Sequence, residues 1–320
     1  MAAPTKENLL IIGATGYIGT YITDQIVLAK ESFGRIAIFT SPSTAEKKPQ
    51  VLDKLRAQGV EVIIGDVKNS QDLLKAFEGI TTVVSAVGRP VIADQIPWLP
   101  LLIQAPSVKR FFPSEYGTDI EYDASSATEI PHQQKLKVRA ALRNLEKEGK
   151  LEGLEYTYVV TGPFAYGYLG KGLTLGGFDV EQKKAVVLGD GKGKISLTTD
   201  TDVGRLVVAA LLHPEPSRNR PLLVNSFTTT PLDVVTEFEK QTGGQKWDVE
   251  FIPLDKFREQ EKQAWEEGNP WATGWTLRRI WGEGGTLYEK RDNHLIEKED
   301  TEKLEDAVKV AVAQQASSNL

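Results

Sequence analysis

The sequence predicts an α/β fold, a doubly wound parallel sheet followed by a smaller C-terminal lobe, and three observations carry it. The chain opens on an apolar run, Leu9-Leu10-Ile11-Ile12, which enters the glycine-spaced turn Gly13-Ala14-Thr15-Gly16-Tyr17-Ile18-Gly19 and then a helical pattern. Short apolar segments alternate with helical ones through the first half, as βαβ units do. Past Pro163 the pattern changes to glycine-rich turns, with Gly170, Gly172, Gly176 and Gly177 close together. The expected division is residues 1–162 for the sheet domain and 163–320 for the lobe, with some segments of the second half returning to the sheet.

Taken in order, strands are expected at residues 8–14, 35–40, 60–66, 81–87, 109–113 and 155–161, with helices between them. A helix starting near Pro131 carries Val138, Ala141, Leu142 and Leu145 at the i, i+3, i+4, i+7 spacing of a stripe that packs on a sheet. Gly189-Asp190-Gly191 is a hairpin signal. A helix at 202–212, a strand at 221–226 and a helix at 231–242 follow. Trp265, Trp271, Trp275 and Trp281 crowd the next stretch. The last helix, 300–315, lines up Leu304, Ala307, Val308, Ala311 and Val312, and the tail 317–319 is expected to fray.

Composition narrows the function. A net charge of −6 over 320 residues, with no basic cluster that outweighs nearby acids, argues against a nucleic-acid partner and for a small one. The chain has no cysteine, which removes disulfides, thiolate nucleophiles and cysteine metal sites. Its three histidines, His132, His213 and His294, lie far apart, so no metal is expected. The N-terminus shows no apolar leader and no stretch approaches the roughly 20 apolar residues of a membrane span. The expected location is the cytosol.

The opening turn has the form of a dinucleotide site. Gly13 suits a tight turn, Gly16 lets backbone approach a diphosphate, and Gly19 lets the helix pack closely on the strand. The diphosphate then rests on free N–H groups of the helix, with Thr15, Tyr17 and Ile18 around it. The alternative is a βα turn that needs glycines for geometry alone. After the second strand, Thr40-Ser41-Pro42-Ser43-Thr44 offers no acid for an adenosine ribose 2′-hydroxyl, and Lys47 and Lys48 follow. Either these lysines meet the 2′-phosphate of NADP or they are a solvated helix start. Asp66 and Val67 after the third strand, and Ser85, Ala86 and Val87 at the end of the fourth, are placed to line adenine and ribose. Asp66 has the alternative of capping a helix that begins near Ser70.

Polar groups leave the fifth strand as Phe111-Phe112-Pro113-Ser114-Glu115-Tyr116-Gly117, where a nicotinamide ring would arrive. The helix from Pro131 starts at the same edge, because a crossover helix runs antiparallel to its strands. Lys135 lies three residues before Val138 and His132 three before Lys135, so both project toward a cofactor. A lysine there can bond the nicotinamide ribose or polarise a substrate oxygen. The alternatives are an ion pair between Lys135 and an acid such as Glu129, and a His132 that touches only backbone or water. No tyrosine precedes a lysine by four residues, and Pro131 stands in that place before Lys135, so phenolate proton transfer from this helix is not available.

With these residues the chain resembles the isoflavone reductase-like branch of the atypical short-chain dehydrogenase/reductases, grouped with NmrA-like proteins. The resemblance spans nearly the whole chain. It rests on Gly13 to Gly19, on Lys109 to Gly117, on Lys135 with Arg139 four residues later, on Tyr156-Thr157-Tyr158, and on Thr161-Gly162-Pro163-Phe164 leading into the lobe. It implies an NADPH-dependent reductase of aromatic or heteroaromatic small molecules of secondary metabolism, or else an NADP(H)-sensing regulator with little turnover. A cofactor-dependent rearrangement or isomerisation on the same fold is the third option. The family's lysine falls on Lys135, implying that it assists hydride transfer, and His132 is similar to fungal members of the group. Gly162, Pro163 and Phe164 are implied to flank the cofactor. One departure is Ser41, where the reductases usually carry an arginine for the 2′-phosphate. Tyr116, Tyr166, Tyr168, Trp265 and Trp271 either wall an aromatic pocket or form the lobe's own core.

Overall fold

The computed structural model describes residues 6–317, so the expected leader-free start (residues 1–5) and most of the fraying tail lie outside the described residues. The first half alternates as expected: β1 (Leu9–Ile12), α1 (Tyr17–Leu28), β2 (Ile36–Thr40), α2 (Pro42–Lys47), α3 (Pro49–Ala57) and β3 (Glu61–Ile64). Next come α4 (Ser70–Ala76), β4 (Thr82–Ser85), α5 (Trp98–Gln104), β5 (Arg110–Phe112), α6 (Gln133–Lys147) and β6 (Glu155–Val160). The second half runs α7 (Ala165–Tyr168), β7 (Phe178–Asp179), β8 (Lys184–Leu188), β9 (Ile195–Leu197), α8 (Asp200–Leu212), β10 (Arg220–Leu223) and β11 (Phe227–Thr229). It closes with α9 (Pro231–Gln241), β12 (Asp248–Ile252), α10 (Leu254–Glu266), α11 (Ala272–Gly282) and α12 (Leu304–Ser317).

One seven-stranded sheet, ordered β10-β6-β5-β4-β1-β2-β3, organises the molecule, and all its pairings are parallel. Its central strands are apolar without alternation because both faces are covered. Successive side chains still point to opposite faces. Leu9 and Ile11 join the core beneath α1 and α8, with Ile22, Ile26, Val203 and Leu206. Leu10 and Ile12 join the core beneath α4, α5 and α6, with Leu73, Trp98, Leu102, Val138 and Leu142. The order reverses between β1 and β4, and an open parallel sheet binds ligands beyond its strand ends at such a point.

Two segments of the second half return to this layer. β10, expected at 221–226, pairs with β6 in register Leu222↔Val159, and α8 packs along α1. The rest forms the lobe, whose core stacks Phe178, Phe238 and Trp247. One expectation fails here: Gly189 to Gly191 do not close a hairpin. Both glycines adopt positive φ, but the turn carries the chain from β8 to β9, which pairs with β11 in another sheet. The hairpin instead joins β7 to β8, turning at residues 180–183, while β8 takes β12 as its parallel partner. α12 also begins four residues later than expected, because Thr301 ties the preceding stretch to the Ser226 carbonyl through its hydroxyl (2.7 Å).

Candidate functional site

The glycine turn lies at the switch point. Gly13 has φ +87°, and a Cβ there would stand 2.5 Å from the Ala86 carbonyl oxygen, so turn and neighbouring strand end both demand glycine. A Cβ on Gly19 would meet the Gly13 carbonyl at 2.0 Å, which is how closely α1 approaches the turn. Gly16 is the N-cap of α1 and no side chain among the described residues caps this end, leaving first-turn N–H groups for an anion. The Thr15 carbonyl accepts from Lys48 Nζ at 2.7 Å, and Ile18 packs onto the core. Tyr17 stands out from α1, its ring 6.0 Å from Phe164 and its hydroxyl close to the buried Asp200 carboxylate.

Around the adenosine end the expectations divide. No acid follows β2, and Ser41 is occupied as the N-cap of α2, accepting from Thr44 N at 3.1 Å. Lys47 is exposed at the end of that short helix, and it is Lys48 that reaches back to the glycine turn. Asp66 does not cap α4. Asn69 does, accepting from Gln71 and Asp72 N–H groups, while Asp66 accepts from Lys68 N at 2.9 Å. The Val67 carbonyl takes the Trp98 indole N–H at 3.0 Å. Ser85 keeps a buried hydroxyl with no partner among the described residues, and Ala86 and Val87 follow it along the crevice.

At the other end, the exit of β5 is held rigidly. Ser114 donates its hydroxyl to the Val87 carbonyl at 2.9 Å and its N–H to Gln95 Oε1 at 2.9 Å. Glu115 turns its carboxylate away from the crevice into a buried two-pronged pair with Arg139 (3.0 Å on both sides). Only its carbonyl faces the site, where it accepts from the Lys135 ammonium. Glu129, the alternative partner for Lys135, is bound to Arg279 at 2.7 Å, so that ion pair is not formed. Burial holds Lys135 down to about 8, with Arg89 and Arg139 adding repulsion and Glu115 opposing it.

His132 is the N-cap residue of α6, after a 3₁₀ turn over Ile130–His132. Its Nδ1 lies 3.0 Å from the Ser126 carbonyl, so Nδ1 carries the proton and Nε2 presents a lone pair. That Nε2 is buried with no partner among the described residues. Burial pushes the imidazole down to about 4, and the ring is neutral at physiological pH.

Lys135 and His132 share a cavity of about 220 Å³ beyond the ends of β5 and β6. Gly162, Pro163 and Phe164 form one side, Tyr116, Thr118 and Ile120 another, and Tyr168 with Trp281 the lobe side. Tyr116 has a buried hydroxyl with no partner among the described residues. Three expected wall residues are elsewhere. Tyr166 faces α12 and bonds Glu302 at 3.4 Å. Trp265 donates to Thr276 Oγ1 at 2.9 Å between α10 and α11, and Trp271 is 68% exposed. Helical phase decides this: of the crowded tryptophans only Trp281, at the end of α11, meets the cavity. Arg89 and Leu277 also line it and were missed. Arg89 directly follows the β4 exit, and the strand-end rule applied there would have found it.

Among the described residues no cluster of three His, Cys, Asp or Glu could hold a metal, and no helix is long and apolar enough to cross a membrane. A parallel sheet with a glycine turn at its switch point and a lysine-bearing cavity beside it defines a Rossmann-type protein with a smaller lobe. The chain belongs to the NmrA-like family, whose model matches residues 5–267. It is 31% identical over 242 residues to a phenylcoumaran benzylic ether reductase of Pyrus communis, covering 75% of this chain and 76% of the relative. The fold matches the crystal structure of an isoflavone reductase with a TM-score of 0.79 at 24% identity, over 95% of this chain and 99% of the other. A leucoanthocyanidin reductase–NADPH complex from Vitis vinifera matches at TM-score 0.78 and 19% identity, over 96% and 99% of the two chains.

Proposed function

We propose that this protein is an NADPH-dependent reductase of an aromatic or heteroaromatic small molecule, in which Lys135 assists hydride transfer. The carrying observation is a part-buried ammonium held by the Glu115 carbonyl inside a cavity walled by aromatic rings, next to an imidazole whose Nε2 has no partner among the described residues. The reductase relatives and the NADPH-bound neighbour support the same reading.

The residues fit the cofactor. Thr15, Gly16, Tyr17 and Ile18 would hold the diphosphate on the uncapped end of α1, which Gly13 and Gly19 shape. Ser41 and Lys48, with Lys47 nearby, would meet the 2′-phosphate, and Asp66, Val67, Ser85, Ala86 and Val87 the adenosine. Ser114, the Glu115 carbonyl, Gly162, Pro163 and Phe164 would flank the nicotinamide. When bound, NADPH supplies the hydride from nicotinamide C4. Lys135 keeps donors beyond the one given to Glu115 and can stabilise charge growing on a substrate oxygen or nitrogen. With its affinity for a proton held at about 8, it remains mainly protonated at neutral pH. His132 can accept from a substrate hydroxyl or an ordered water.

The test is incubation with NADPH and a panel of aromatic enones, imines and isoflavone-like compounds, following loss of reduced-cofactor absorbance. Lys135→Ala is expected to lower turnover by roughly 10²–10⁴-fold while leaving NADPH binding largely intact. Unchanged turnover removes Lys135 from the mechanism. Cofactor binding with no turnover on any compound would identify a sensor instead, and product lacking hydride by mass would identify an isomerase.

A further inference from the structure

A second cavity, of about 270 Å³, lies behind the first and shares two walls with it, Tyr168 and Trp281. Those rings meet edge to face at 5.8 Å and form the partition. Val187, Ile195 and Gly193 line the far side, and Arg278 from α11 lines it too.

Arg278 is 3% exposed and has no carboxylate within ion-pair distance among the described residues, unlike the buried Arg139 and Arg279. Its partners are backbone carbonyls: Nη1 donates to Leu173 (2.7 Å), and Nη2 to Gly176 (2.9 Å) and Val186. The guanidinium also lies over the Phe257 ring at 5.6 Å. Three carbonyls use three of the five N–H donors an arginine carries, and neutral dipoles do not neutralise its charge. Burial lowers its proton affinity to about 10, a sign of how poorly the charge is compensated. Tyr168, on the same wall, has a hydroxyl with no hydrogen-bond partner among the described residues; burial pushes it up to about 12, so it stays a donor, and the nearby Arg278 charge only partly opposes that rise. Among the described residues the one acid lining this cavity is Asp190, which is exposed and accepts from Lys192 N at 2.9 Å.

We propose that this second cavity is an anion subsite in which Arg278 and the Tyr168 hydroxyl receive the carboxylate of an aryl carboxylic acid. Its aromatic part packs on the Tyr168 and Trp281 rings that line the same cavity. That an anion binds beside Arg278 does not rest on the reductase reading. A buried guanidinium binds carboxylate in preference to a neutral group of equal shape because only the anion recovers the cost of taking the charge out of water.

The experiment is calorimetry with cinnamate and its neutral isostere cinnamamide, on protein saturated with NADP⁺. Wild type is expected to bind cinnamate about tenfold or more tightly than the amide. Arg278→Met should bring cinnamate down to the level of the amide, and Arg278→Lys should keep part of the preference. Gly193→Phe is the second variant, for the case in which Arg278→Met does not fold. Gly193 lines the cavity and a Cβ there meets nothing closer than 3.7 Å, so the ring fills the space while Arg278 stays in place. It should cut cinnamate affinity about tenfold. Equal binding of acid and amide by wild type, absence of cinnamate binding, or a Gly193→Phe protein that binds cinnamate normally would each overturn the subsite. Cinnamate preference without turnover of any compound would retire the reductase reading alone.

Discussion

Lys135 illustrates how much a single side chain owes to its surroundings. Sequence position aimed it at the crevice, but its chemistry comes from burial and from Arg89 and Arg139, which arrive from distant segments. If the protonated amine is the working form, kcat/KM falls as pH rises through about 8. A profile flat from pH 7 to 9 contradicts that role. Asp200 gives a second test, on stability. It is fully buried, one carboxylate oxygen lacks a partner among the described residues, and burial raises it to about 6 from the ordinary 3.8. Between those values the folded chain binds more protons than the unfolded one, so stability falls as pH rises through the window and the penalty is complete above about 6. Asp200→Asn is therefore expected to be more stable at pH 7.5, by at most about 3 kcal/mol, with the gain vanishing below about pH 4. Urea unfolding at both pH values measures it, and a less stable variant at pH 7.5 shows that the charged form is favoured.

Elements meet at the site through one buried ion pair. Glu115 follows β5, Arg139 belongs to α6, and their pairing fixes the carbonyl that orients Lys135. Arg139 also reaches Glu121 (2.7 Å) and covers the Tyr158 ring at 4.6 Å. Arg139→Met leaves a carboxylate buried alone and is expected to cost about 3–5 kcal/mol in chemical denaturation. The double variant Glu115→Gln, Arg139→Met should recover most of that, because the orphaned charge is gone. Additive losses would mean that the two side chains do not act as a pair. The motif made Glu115 visible in the sequence as a site residue. That its backbone rather than its carboxylate faces the cavity was not legible, since only the position of α6 decides which way the side chain turns. The same limit produced the hairpin error at Gly189: the glycines specify a turn, while the strand that receives the chain is chosen by long-range pairing.

At the scale of the molecule, the expected cofactor contacts come from both ends of the fold, the β1 turn and the β6 exit into the lobe. Binding should therefore stabilise the whole chain. NADPH at about 100 times its Kd is expected to add about 2.7 kcal/mol, read as a rise in Tm of roughly 4 °C. NADH should do less, and Lys48→Ala should shrink the difference between the two cofactors, since Lys48 is the cation fastened to the glycine turn. A Tm raised equally by NADH and NADPH would remove the 2′-phosphate from the account.

Sequence alone determined the parallel α/β sheet, its glycine turn and the projection of Lys135 and His132 toward one crevice. Each depends on local spacing: apolar runs set strands, a period near four sets a helix face, and glycine marks where a Cβ will not fit. Tertiary structure decided which aromatics wall the cavity, that Lys48 rather than Lys47 reaches the turn, and that Arg278 is buried without a counter-ion among the described residues. Those depend on elements far apart in the chain meeting at a particular rotation, and no local pattern encodes that angle.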